Sequence, residues 1–344
     1  MSNQYYSGGS RNGGPGYRGA PFDPNTGPPA QYIYKRPIRH NANLIAGGLI
    51  LVYIVSFFTM GTLDQLLNVM FSQQVRVELH PIFSQLTELV TYIVTFFVPC
   101  ILMVAWIDIP FEVAFPLKRP RASLAIPAVF FCLGLMLVGS YLSGMLAILL
   151  EDLLGVTPTS PEFPAPRGIP AGLIYFISVA IAPAILEELT FRGVIMQSLR
   201  RFGDGFAIIA SGVLFSLCHG NLVQGIPTLL LGFAIGYFVI RTGSLLTGML
   251  IHFVNNGMAV LMELSGQLLS DEMADAFLLG VFFVYFIGGI IALIFLLLRH
   301  PGIFRTIPSR YPLPEGGKHA AFYTSPVMIL YLALTGVVLW LSLG

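Results

Sequence analysis

From residue 44 onward the chain is a succession of apolar runs separated by short polar or Pro/Gly-rich connections. The runs fall at about 44–63, 88–107, 124–150, 170–199, 205–222, 225–241, 244–264, 277–298 and 325–343. Each approaches the ~20 residues that an α-helix needs to cross a bilayer. The runs at 205–222 and 225–241 are short and are split by a Gly/Pro interruption at 220–227. The pattern therefore predicts an all-α, polytopic transmembrane helical bundle of eight or nine spans. Ahead of it, residues 1–34 are rich in Gly, Pro, Asn, Ser and Tyr and poor in aliphatic side chains, the composition of a disordered tail. The segment 64–87 reads as an interfacial helix or an outer loop. The stretch 157–169 carries too many prolines for a helix and reads as an outer loop.

Composition sharpens this picture. The chain is 55% hydrophobic and only 10% charged, where a soluble domain carries about 25% charged residues. Its mean hydropathy is +0.78. The lipid bilayer is thus the expected environment, with the protein integral and multi-pass. Charge placement gives a direction. Lys35, Arg36 and Arg39 precede the first run, which predicts a cytosolic N-terminus. Alternating from there puts Lys118, Arg119, Arg121, Arg200, Arg201, Arg241, Arg299, Arg305, Arg310 and Lys318 on the same side. Arg76 and Arg167 fall on outer connections, and one outer loop instead carries Glu263, Asp271, Glu272 and Asp275. This regular alternation favours nine spans with the C-terminus outside. The Tyr and Arg content of the tail would suit weak protein or RNA contacts, but a flexible cytosolic tail is the plainer reading, and no nucleic-acid partner is expected. Cys100, Cys132 and Cys218 all lie in apolar runs, an odd set that reads as inert core thiols.

The chemistry lies in a few polar residues inside the apolar runs. Glu187 and Glu188 are adjacent within one of them, and an ionisable residue in the membrane is a functional candidate whose partner must be found. Arg192, four residues after Glu188 and on the same helix face, is the nearest cation. Glu187 points about 100° away from Glu188 and has no second cation on its helix, so the two carboxylates need not share a task. Two further runs carry Phe215 with His219 and His252 with Asn256, each pair at i,i+4 and therefore on one face. Counting ~1.5 Å per residue from Arg200, Gly205 and Arg241 places Glu187, His219, His252 and Asn256 roughly 16–22 Å below the cytosolic surface. A hydrocarbon core is ~30 Å thick, so polar groups from three helices converge near its midplane. Each also has a plain structural reading. A lone His is often an interhelical hydrogen bond, Gly193, Gly232 and Gly236 suit helix packing, and Glu188–Arg192 is the pairing by which a bilayer tolerates charge.

These residues form three motifs in order: EELTFR from Glu187 to Arg192, FSLCH from Phe215 to His219, and HFVNN containing His252 and Asn256. The chain resembles the CaaX-protease and bacteriocin-processing (Abi) family of intramembrane endopeptidases, whose patterns are EExxxR, FxxxH and HxxxN or HxxxD on successive core helices. The resemblance covers roughly 120–265. It suggests a division into the tail 1–34, N-terminal spans at 35–122, a catalytic core at 123–265 and C-terminal spans at 266–344. It also implies roles. Glu187 resembles the base that takes a proton from water, and His219 is similar to the residue that helps hold that water. His252 and Asn256 resemble the pair that stabilises the oxyanion, and Glu188 and Arg192 the pair that orients the site. Peptide hydrolysis needs such an activated nucleophile and such donors. The implied partner is a membrane-associated peptide or protein substrate, prenylated or not.

A metal is the alternative to direct base catalysis: Glu187, His219 and His252 would form a His/His/Glu zinc set, although HExxH is absent. A metal-free glutamate mechanism with no cofactor is the reading adopted. Cys218 lies beside His219 but points ~100° away and reads as structural. Two other functions compete: a non-catalytic membrane partner or immunity-type protein on the same fold, and a proton-coupled transporter whose Glu and His act as a relay.

Overall fold

A computed structural model describes residues 30–71, 80–156, 158, 168–305 and 309–343. Among them there is helix and no strand. The chain runs through α1 (Ala30–Met70), α2 (His80–Ile107), a single turn at Phe111–Ala114, α3 (Ala122–Leu154), the interrupted helix α4 (Ile169–Phe202), α5 (Asp204–Cys218), α6 (Leu222–Thr242), α7 (Leu245–Leu268), α8 (Asp271–Arg299), α9 (Glu315–Tyr323) and α10 (Pro326–Leu341). Seven of these helices are long and apolar enough to cross a membrane, and α9 with α10 makes an eighth if that pair, bent by 73°, is one span. The one remaining run, 205–222, is α5. With 15 residues it is only ~22 Å long, short of a ~30 Å hydrocarbon core.

Helix directions follow from which residues meet. Gly139 and Ser143 of α3 lie against Pro227 and Val223 of α6, an antiparallel pair. Gly134 of α3 meets Gly289 of α8, and Ser123 meets His300 beyond it, also antiparallel. Ser216 and Gly212 of α5 face Gly225 and Gly232 of α6 in the same sense. By contrast, Tyr53 bonds Thr335 while Asn43 accepts from the Val327 N–H, so α1 and α10 run parallel. An up-and-down order that counts α5 as one traverse gives that parallel pair. It also gathers the basic ends at one end of the bundle. There Arg201 bonds Asn41, the Ser244 hydroxyl bonds the Lys118 carbonyl, Arg241 bonds the Arg305 carbonyl and Tyr311 bonds the Tyr34 carbonyl.

Lipid supplies no hydrophobic force between helices, so close contact relies on small residues and polar groups. Gly134 and Gly289 meet backbone to backbone: a Cβ on Gly289 would lie 2.9 Å from the Gly134 Cα. Pro227 is not part of a break but sits inside α6. Lacking an N–H, it leaves the Val223 carbonyl without its helical donor, and the Ser143 hydroxyl of α3 fills that place. The break itself is short. Gly220 adopts φ 60°, and Asn221 caps α6 by accepting from the Gln224 N–H at 3.1 Å.

Two other expectations change. Residues 30–34, assigned to the tail, continue α1, where Tyr34 packs edge-on against Tyr311. Most of 64–87 forms the ends of α1 and α2 rather than an independent segment. The tail 1–29, the residues 72–79 with Arg76 and Glu78, and most of the proline-rich loop with Arg167 lie outside the described residues. Cys100 and Cys132 are buried and Cys218 half-buried, and all three are free.

Candidate functional site

Helix α4 carries both glutamates and is not a continuous α-helix. It passes through π-helical turns at Ile177–Ile181 and Glu188–Ile195, on either side of Glu187. A π-turn displaces backbone carbonyls from their normal donors and is frequent at functional sites. Here the neighbouring helices use those carbonyls. Val179 O accepts from Asn256 Nδ2 of α7 at 2.9 Å, and Phe191 O accepts from the Ser211 hydroxyl of α5 at 2.8 Å. The irregularity thus fixes Asn256 beside α4.

Glu188 and Arg192 are fully buried and joined at 2.8 Å from Arg192 Nη1 to Glu188 Oε1. The guanidinium also donates from Nη2 to the Gly232 carbonyl at 3.2 Å, and its Cζ lies 4.1 Å over the Phe215 ring. This is the pairing a low-dielectric interior demands of a charge. The same Glu188 oxygen accepts from His252 Nδ1 at 3.0 Å. That contact settles the imidazole's orientation. Nδ1 carries the proton toward the carboxylate, and Nε2 turns toward Glu187, 3.8 Å from its Oε2. Glu187 is 8% exposed, and its other oxygen, Oε1, accepts a hydrogen bond from the Tyr92 hydroxyl of α2. Oε2 has no hydrogen-bond partner among the described residues.

Phe215 is the hub between the histidines. Its ring centroid lies 4.9 Å from that of His219 and 5.8 Å from that of His252, edge-on to both. His219 stands at the C-terminal end of α5, half-buried, with Nδ1 2.9 Å from the Phe215 carbonyl. A carbonyl only accepts, so Nδ1 is the protonated nitrogen there and Nε2 carries the lone pair. His219 makes no hydrogen bond or ion pair with either glutamate. The short length of α5 now has a local consequence: the helix ends where its histidine reaches the level of the site.

Glu187, Glu188, Arg192, Phe215 and His252 therefore form one connected cluster, with His219 attached through Phe215 and Asn256 through the Val179 carbonyl. Two participants were not read from the sequence. Tyr92 belongs to α2, far from the motifs in sequence; the available signal was a run of polar side chains, Glu88, Thr91, Tyr92 and Thr95, within an apolar span. Gly248 is the other: a Cβ there would lie 2.6 Å from Glu188 Oε2. An apolar cavity of about 160 Å³ lies between α2, α4 and the segment that follows α2, walled by residues such as Cys100, Phe111, Phe115, Leu186 and Leu189; no member of the polar cluster lines it.

A zinc site needs at least three donors converging on one point. Among the described residues, no three His, Cys, Asp or Glu side chains do so. His252 Nδ1 bonds Glu188 and His219 Nδ1 the Phe215 carbonyl, which leaves Nε2 of each ring as its lone-pair nitrogen.

Residues 169–258 match the family model of the type II CAAX prenyl endopeptidase Rce1-like proteins. That stretch holds all three polar motifs. Over that stretch the chain is similar to the CAAX-protease type of membrane protein. No curated protein and no solved structure matches it. Tyr92 and the whole of α2 lie outside the matched stretch.

Proposed function

We propose that this protein is an intramembrane endopeptidase that hydrolyses peptide bonds of membrane-associated proteins or peptides with water activated by Glu187. The observation that carries the reading is the 3.8 Å approach of Glu187 Oε2 to His252 Nε2 in a buried site. Both atoms are acceptors in this arrangement. One water can bridge that separation by donating a proton to each, which leaves a lone pair free to attack a carbonyl carbon. As the C–O bond forms, the proton passes to Glu187 Oε2. It then goes to the departing amine nitrogen as the C–N bond breaks. Glu188, held by Arg192, orients His252 through Nδ1.

His219 offers its Nε2 lone pair from the end of α5 as a second support for the water. Asn256 donates one amide proton to the Val179 carbonyl and keeps a second N–H for the oxyanion. Placing the basic end of the bundle in the cytosol follows the distribution of Lys and Arg.

The test compares the N- and C-termini of membrane proteins by mass spectrometry in cells making equal amounts of wild type or Glu187→Gln. Termini that appear only with wild type are the expected result and would name the substrate. Identical termini, with the protein's phenotype kept in the variant, would sink the proteolytic reading and point to a binding role.

A further inference from the structure

We infer that Tyr92 of α2 is a positioning residue for Glu187: its hydroxyl fixes the carboxylate and selects which of its oxygens acts on water. The inference rests on the proposed hydrolytic role of Glu187.

A glutamate carries three side-chain torsions, and its two oxygens exchange by rotation about the last one. That last torsion, between tetrahedral and planar carbons, has a broad, weak preference. Nothing on α4 itself removes this freedom, because Arg192 is committed to Glu188 and to the Gly232 carbonyl. The constraint comes from another helix. The Tyr92 hydroxyl donates to Glu187 Oε1. Its ring is held in turn by Phe96 one helical turn on, with centroids 4.9 Å apart. With Oε1 engaged, Oε2 is the oxygen left to face His252 Nε2. One phenolic donor thus decides both the rotamer and the face on which a proton is received.

The charged and titratable groups around this carboxylate are Glu188 and Arg192 on α4, His252 on α7, Cys218 on α5 and Tyr92 on α2. Tyr92 is the donor among them that binds Glu187 directly. The segment matched to the family begins at residue 169, so the catalytic unit extends beyond it to α2. A chain cut down to the matched segment would lack this contact.

The variant to make is Tyr92→Phe, which keeps the ring and its packing on Phe96 and removes only the hydroxyl. On a substrate found through the termini comparison, kcat should fall by about tenfold or more, the scale of one hydrogen bond to a charged group, with KM within about twofold. The second readout needs no substrate. Infrared difference spectra of the protein in lipid, with the Glu187 carboxylate band assigned by its loss in Glu187→Gln, should show that band shifted in Tyr92→Phe. A wild-type kcat or an unshifted band in Tyr92→Phe overturns the inference. If wild type cleaves nothing, or Glu187→Gln cleaves normally, the hydrolytic reading fails, and with it the catalytic part of the role given to Tyr92. The infrared band then still decides whether Tyr92 fixes the carboxylate.

Discussion

Glu188 holds two partners on a single oxygen, and both it and Arg192 are inaccessible to solvent. Removing either member leaves an uncompensated charge in a medium that cannot solvate it, a loss of about 3–5 kcal/mol. Arg192→Leu should therefore lower unfolding stability in detergent by that amount. The double replacement Glu188→Leu with Arg192→Leu should cost less than the single one, since no buried charge remains. The double variant should stay inactive, because His252 has then lost the acceptor that orients its Nδ1. An Arg192→Leu protein as stable as wild type would contradict this account. Gly248 makes a related prediction. Its Cβ position is 2.6 Å from Glu188 Oε2, 2.9 Å from a Val239 methyl and 3.0 Å from an Ile235 methyl, so Gly248→Ala must displace a carboxylate already tied at its other oxygen. Activity should drop at least tenfold, while a cost of about 1–3 kcal/mol from overpacking leaves the protein folded. Activity assays paired with thermal denaturation would separate the two effects.

At the scale of helices, the apolar pattern located every long element, because a run of about twenty apolar residues has few structures open to it in lipid. The run expected at 170–199 is the interrupted helix Ile169–Phe202, and that at 225–241 is Leu222–Thr242. Periodicity gave no sign of the π-turns within the first of these. Composition does not mark them, and they persist because Asn256 and Ser211 on other helices accept the task of donating to the displaced carbonyls. The bend of 73° between α9 and α10 was likewise not legible in the apolar pattern. The contact between α3 and α8 offers a direct test of helix packing. Gly289→Leu places a branched side chain where the Gly134 backbone now sits and should separate the two helices. The expected cost is about 1–3 kcal/mol, measured as a lower unfolding midpoint in detergent. Gly144, with open space at its Cβ position, is the control, and Gly144→Leu should be near neutral.

Across the whole molecule, the alternation of charge and the packing of helices describe the same bundle. Lys118, Arg201, Arg241 and Arg305 meet at one end through side-chain and backbone hydrogen bonds, while Asp271 and Glu272 open α8 at the other. The positive-inside rule then predicts which end faces the cytosol. In a chain with its native cysteines replaced by Ala, Asp271→Cys should react with an impermeant thiol reagent added to intact cells, and Arg119→Cys should not; the opposite pattern would invert the topology. The sequence by itself determined that the chain is a helical membrane protein, where its long helices lie, and which glutamates, histidines and asparagine are out of place in lipid. It could do so because the cost of burying polar groups in hydrocarbon acts residue by residue, and that cost can be read one segment at a time. Tertiary structure alone decided which partners those residues have: Tyr92 on Glu187, His252 on Glu188, Asn256 on a π-turn carbonyl. Each partner comes from a helix distant in sequence, and only the packed arrangement of backbones brings a donor within three ångströms of its acceptor.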